Sequence, residues 1–129
     1  MKNIFYSVMM LLFVLCSCTS KTEVSSPNGN IKWSFNLDEK GGMTYQVSVN
    51  NAPFINASAL GFKEKSGLDL ASGFQLVGTS FDSQDETWTQ PWGENKKNRN
   101  HYNEMAVSLT NEDQVQLTLR FRVFDDGIG

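Results

Sequence analysis

Ile31, Trp33, Phe35 and Leu37 alternate with Lys32, Ser34 and Asn36. A period of two sends successive side chains to opposite faces of an extended chain, so this run is a half-buried β-strand. The pattern returns at Tyr45, Val47 and Val49, with Gln46 and Ser48 between them. Asp38-Glu39-Lys40-Gly41-Gly42 separates the two runs and has the composition of a tight turn, which predicts a β-hairpin. Asn50-Asn51-Ala52-Pro53 is a second turn, and Phe54-Ile55 and Leu60-Gly61-Phe62 are short apolar pieces. Phe74 to Val77, bracketed by Gly73 and Gly78, is predicted as a further strand. Met105, Val107 and Leu109 then face one way, as do Val115, Leu117, Leu119, Phe121 and Val123 on the next run. Asn111 to Gln114 forms the loop between them. No stretch of about ten residues carries a helical apolar face. The fold class is therefore all-β, an antiparallel β-sandwich.

Residues 80–104 (SFDSQDETWTQPWGENKKNRNHYNE) break the alternation and are rich in polar and aromatic groups. They read as a long loop, and loops of that length in a compact domain tend to carry function. At the other end, Asp125-Asp126-Gly127 is a strong turn signal with only Ile128 and Gly129 after it. A turn with no partner strand implies an unfinished sheet, with Arg120 to Phe124 at an edge.

The leader is a separate matter. Lys2 is followed by an apolar run from Ile4 to Leu15, too short for the ~20 residues of a membrane-spanning helix and suited to a secretion signal. Leu15-Cys16-Ser17-Cys18 resembles the lipobox of bacterial lipoproteins, in which the last cysteine is acylated and cleavage falls just before it. The expected organisation is a signal peptide over 1–17, lipidation at Cys18, a polar tether over 18–30, and a domain over 31–129. The expected location is the bacterial cell envelope, with the chain anchored to the membrane through lipid. Cleavage leaves one cysteine and hence no internal disulfide.

Composition removes several classes of function. Eleven basic residues against fourteen acidic ones leave no cationic surface to neutralise phosphates, so no nucleic-acid partner is expected. One histidine and two cysteines are too few for a zinc or iron–sulfur site. No metal and no cofactor is expected in this chain.

The segments Phe81-Asp82, Asp85-Glu86-Thr87-Trp88, Pro91-Trp92-Gly93-Glu94 and Arg99-Asn100-His101-Tyr102-Asn103-Glu104 resemble the N-terminal domain of glycoside hydrolase family 97, the bacterial α-glucosidase and α-galactosidase family. So do Ser26-Pro27-Asn28-Gly29, Leu60-Gly61-Phe62 and the closing Phe121 to Gly129. The resemblance implies a galactose-mutarotase-like β-supersandwich, incomplete here, that precedes a catalytic (β/α)8 barrel. The resemblance implies that the catalytic carboxylates belong to that barrel and that a calcium ion in the full-length parent is held by glutamates mostly from the barrel, none of them matched here. No catalytic residue is carried over to this chain, which alone is expected to be inactive. Its partners would be the missing catalytic barrel and, through the parent enzyme, an α-linked oligosaccharide.

Within the 80–104 stretch, Trp88 and Trp92 could stack on the apolar face of a sugar or anchor the loop and an interdomain contact. Arg99, Asn100, His101, Tyr102 and Asn103 are a dense set of donors and acceptors that could read hydroxyls or satisfy loop backbone. Glu86, Glu94 and Glu104 could supply the paired carboxyls that glycoside hydrolysis needs, or pair with Lys96, Lys97 or Arg99. The candidate carbohydrate-binding set is thus Trp88, Trp92, Glu94, Arg99, Asn100, His101, Tyr102, Asn103 and Glu104. Asp125-Asp126-Gly127 lacks the spacing of a calcium loop and is read as a turn. Two alternatives stay open: a free-standing carbohydrate-binding lipoprotein, and a structural remnant without ligand.

Overall fold

The computed structural model describes residues 21–65, 67, 70–94 and 96–129. The signal peptide, Cys18 and the first part of the tether lie outside them. Seven strands form: β1 (Glu23–Ser25), β2 (Ile31–Leu37), β3 (Met43–Val49), β4 (Ala52–Leu60), β5 (Gln75–Thr89), β6 (Lys97–Thr110) and β7 (Gln116–Phe124). They make two antiparallel sheets, β1-β2-β3-β4 and β5-β6-β7. The all-β sandwich expected from the alternation is the observed architecture.

The predicted β2–β3 hairpin forms in the predicted register, with Trp33 opposite Val47 and Phe35 opposite Tyr45. Asp38 organises its turn, accepting hydrogen bonds from the N–H groups of Lys40 and Gly42 at 2.8 Å each. Asn50 and Asn51 both take positive φ (52° and 64°). That is the two-residue turn whose twist matches a hairpin, and asparagine tolerates it well. Pro53 follows on β4, an edge strand, where a missing N–H costs no ladder bond.

Val24, Trp33, Phe35, Met43 and Val47 from one sheet pack against Met105, Val107, Leu109, Phe121 and Val123 from the other. Trp33 is sandwiched between Tyr45 (centroids 4.5 Å apart, planes 7° apart) and Phe121 (5.0 Å, 29°). Such stacks add about 0.5–1.5 kcal/mol to the burial itself. The apolar residues of β2, β3, β6 and β7 thus face each other as their spacing requires.

Three expectations change. First, residues 80–104 are not a loop. Gln75 to Thr89 pairs with Lys97 to Thr110 along one long hairpin, and only residues 90–96 connect the strands. The strand predicted over 74–77 runs on through Gly78. Second, the sheet starts before the predicted domain boundary at residue 31: Glu23–Ser25 add an edge strand to β2, with Val24 opposite Trp33 and buried. Third, the final turn does not end without a partner. Ile128 bridges Val123, and Gly129 exchanges two backbone hydrogen bonds with Arg122.

Candidate functional site

Among the described residues, β5 and β6 have no third strand beyond Tyr102 opposite Phe124. Residues 85–89 and 97–101 therefore project as a two-stranded arm, roughly 17 Å long at 3.3 Å per residue. The arm is mostly exposed on both faces. That explains why its sequence lacks a period: alternation in hydropathy is written only where one face of a strand is buried.

Strand geometry divides the candidate residues. Directly paired residues share a face, and Trp88 pairs with Asn98, Glu86 with Asn100, Gln84 with Tyr102 and Asp82 with Glu104. Trp88, Asn100, Tyr102 and Glu104 therefore lie on one face, which is the outer face of the β5–β6–β7 sheet. Arg99, His101 and Asn103 lie on the opposite face. Trp92 and Glu94 sit in the connecting turn, where Trp92 is 79% exposed and Gly93 has a φ of 106°. The set does not converge on one cleft. A cleft of about 490 Å³ opens instead at the base of the arm, between β1 and Phe81, Asp82 and Ser83, and Lys21 lies 5.6 Å above the Phe81 ring.

The inner-face residues bind the arm to the sandwich. Arg99 grips Asp85 through two hydrogen bonds of 2.9 Å, and this holds the Asp85 carboxyl below its ordinary pKa. His101 lies between Asp85 (4.0 Å) and Asp125 (3.8 Å). Asp125 in turn accepts the backbone N–H of Asn28 at 2.8 Å, and the Asn103 side-chain amide donates to the Ser25 carbonyl at 2.9 Å. Segments near residues 28, 85, 101 and 125, far apart in the chain, are therefore joined in one network.

On the outer face Glu104 is nearly buried, with its carboxylate clasped by Arg122 Nε and Arg120 Nη1 at 2.7 Å each. The hydrogen bonds from Arg122, then Arg120, outweigh burial and lower its pKa. Arg122 also lies over the Tyr102 ring at 4.8 Å, and Tyr102 packs against Phe124 at 5.3 Å. The partners anticipated for Glu104 were Lys96, Lys97 or Arg99; its actual partners are on β7. Arg120, Arg122 and Asp85 are not in the candidate binding set read from the sequence. The signal was present, since Arg120 and Arg122 alternate on one face of a strand that pairs with the one carrying Glu104.

This electrostatic arrangement bears on catalysis. The acid of a glycosidase needs a carboxyl whose pKa is raised so that it can donate a proton. Asp85 and Glu104 are both shifted the other way by arginine. Both Glu104 oxygens accept from guanidinium groups, and Asp125 accepts a backbone N–H. Among the described residues, no three of His, Cys, Asp and Glu gather as metal ligands.

The glycosyl-hydrolase 97 N-terminal family matches residues 24–129. The chain belongs to this family. The family match begins at β1, which places that strand inside the domain. Family 97 relatives share both sequence and fold. A retaining α-galactosidase of Bacteroides thetaiotaomicron is 28% identical over 123 residues, which are 92% of this chain and 18% of that protein. A family 97 enzyme from a Pseudoalteromonas species, solved as a variant with panose and also with acarbose, superimposes with a TM-score of 0.75 at 33% identity, covering 82% of this chain and 16% of the other. A β-arabinopyranosidase gives a TM-score of 0.73 at 25% identity, with 82% and 17% covered. The chain thus spans less than a fifth of the length of these family 97 relatives.

Proposed function

We propose that this chain is the non-catalytic N-terminal part of a cell-envelope α-glycosidase acting on α-linked glucose or galactose, and that its arm braces the catalytic barrel of the parent. The carrying observation is the arm itself. A two-stranded ribbon exposed on both faces is marginal in water, yet this one ends in Trp88 and Trp92, 48% and 79% exposed. Large aromatics at the end of a projecting element suit an interface in which they become buried. Sugar contact by Trp88 or Trp92 would then arise only at that junction, where a second surface completes a concave site. Any calcium would be held mostly by the parent's barrel.

The test uses the purified 129-residue chain. The expected result is no turnover of p-nitrophenyl α-glucoside or α-galactoside, and no change in tryptophan fluorescence with millimolar maltose-type or galactose-type oligosaccharides. Turnover would refute the non-catalytic role. A saturable fluorescence change would instead support a free-standing carbohydrate-binding lipoprotein.

Anchoring at the envelope is a further part of the proposal, supported by the apolar run of Ile4 to Leu15 ahead of Leu15-Cys16-Ser17-Cys18. Two or more acyl chains hold a protein stably on a membrane, whereas one does so only marginally. Expressed in a bacterium fed a clickable palmitate analogue, the wild-type chain is expected to take up label and to fractionate with membranes. Cys18→Ser should abolish both, and labelling that survives it would show that the lipid sits elsewhere.

A further inference from the structure

Residues 21–28 run alongside β5 toward the tip of the arm. Lys21 Nζ lies 5.6 Å above the centroid of the Phe81 ring. The Thr22 carbonyl accepts the Phe35 N–H at 2.8 Å, so the chain is fixed to the sheet from that residue onward. The Ser25 carbonyl accepts the side-chain amide of Asn103, which pairs with Ser83. Asn28 donates its N–H to one Asp125 oxygen, and the other Asp125 oxygen stands 3.8 Å from His101, the partner of Asp85. Residues 21, 25 and 28 thus lie level with 81, 83 and 85 in turn, and the chain advances from the base of the arm toward its tip. Trp88 is seven residues beyond Phe81, about 23 Å at 3.3 Å per residue. Cys18 is three residues before Lys21, a reach of no more than about 11 Å.

We infer that a lipid anchor at Cys18 seats the base of the arm, at Lys21 and Phe81, on the bilayer surface and directs the tip of the arm away from it. The anchor rests on the envelope reading above; the direction rests on the geometry. The reach from Cys18 is about half the span from Phe81 to Trp88, so the lipid does not lie at the tip. Phe81 is 48% exposed, and an aromatic ring with a long lysine beside it suits the headgroup layer, where the ring is half immersed and the amine stays in water. Glu23 and Asp82 line the same cleft as Lys21, so the short tether, and not net charge, holds the base there. Along the arm Asp85, Glu86 and Glu94 offset Lys96, Lys97 and Arg99, which leaves no basic stripe to draw it down onto the lipid. Trp88 and Trp92 are thereby presented on the side away from the membrane, and the module that the arm braces is received there.

The experiment reconstitutes the lipidated full chain in phosphatidylcholine vesicles whose lipids carry a nitroxide near the headgroup, which quenches nearby tryptophan. The double variant Trp88→Phe, Trp92→Phe leaves only the buried Trp33 and sets the background. Adding Phe81→Trp to it is expected to at least double the quenched fraction, whereas the wild type, with Trp88 and Trp92 in place, should stay at background. Inserting about twelve Gly-Ser residues between Ser20 and Lys21, a coil of roughly 20 Å, should return the Phe81→Trp signal to background. Quenching of the wild type above background, no quenching at position 81, or a signal that the insertion leaves unchanged would overturn the orientation. The wild-type comparison needs no change at Phe81 and decides by itself if that variant fails to fold. The two readings fail differently. A chain that takes up no palmitate label and stays off membranes refutes the anchor and this inference with it, whereas a labelled, membrane-bound chain with a quenched tip refutes the orientation alone.

Discussion

Replacing Gly41 by alanine is expected to destabilise the domain by about 3 kcal/mol or more, combining the left-handed backbone penalty with overpacking. Gly41 has a φ of 70°, and a Cβ there would stand 2.4 Å from the Phe74 backbone nitrogen and 2.5 Å from its carbonyl oxygen. Those atoms have little freedom to retreat. The Phe74 N–H donates to the Gly41 carbonyl and the Gly73 N–H to that of Lys40, while the Phe74 ring is buried in the core. The β2–β3 turn and the segment entering β5 are therefore locked backbone to backbone. Urea unfolding followed by tryptophan fluorescence should show a large drop in midpoint. Gly41→Asn separates the two causes, because asparagine accepts positive φ but keeps the clash. It should be nearly as damaging, and a midpoint close to wild type in both variants would show that the Phe74 segment yields.

Glu104→Gln is expected to cost about 2–3 kcal/mol, the scale of hydrogen bonds to a charged partner. The estimate is kept at this level because Arg120 and Arg122 are about half exposed and the Coulomb part of their attraction is screened. The pH dependence follows from the direction of the shift. Arginine lowers the Glu104 pKa in the folded state below the ordinary 4.5, so the unfolded chain binds the proton more readily. The contribution is fully present above about 4.5 and is lost as pH falls through the folded value. Wild type should therefore lose stability more steeply than Glu104→Gln on acidification below 4.5. Parallel pH profiles of the two proteins would exclude the clasp as a source of stability.

Neither effect could have been read from composition, and they differ in how far the sequence hinted at them. Gly41 was legible as part of a turn, but its contact with Phe74 depends on how a segment more than thirty residues away enters β5. Glu104 was visible as a carboxylate in a polar stretch. Its partners became inferable only with the β6–β7 register, which sets Glu104 opposite Arg122 and Ala106 opposite Arg120. The carbohydrate candidates show the same dependence. Arg99 to Glu104 are contiguous in sequence, yet the pleat sends Arg99, His101 and Asn103 to one face and Asn100, Tyr102 and Glu104 to the other.

The amino-acid sequence by itself determined the β class, the β2–β3 and β6–β7 hairpins, most of the core and the family. Each of these rests on local alternation across a half-buried strand or on a contiguous motif. Only the tertiary structure decided that residues 80–104 form a projecting hairpin, that β1 joins the sheet and that Glu104 is clasped by β7. An arm wet on both faces leaves no hydrophobic period, a three-residue edge strand is too short to show one, and a cross-strand ion pair is defined by register.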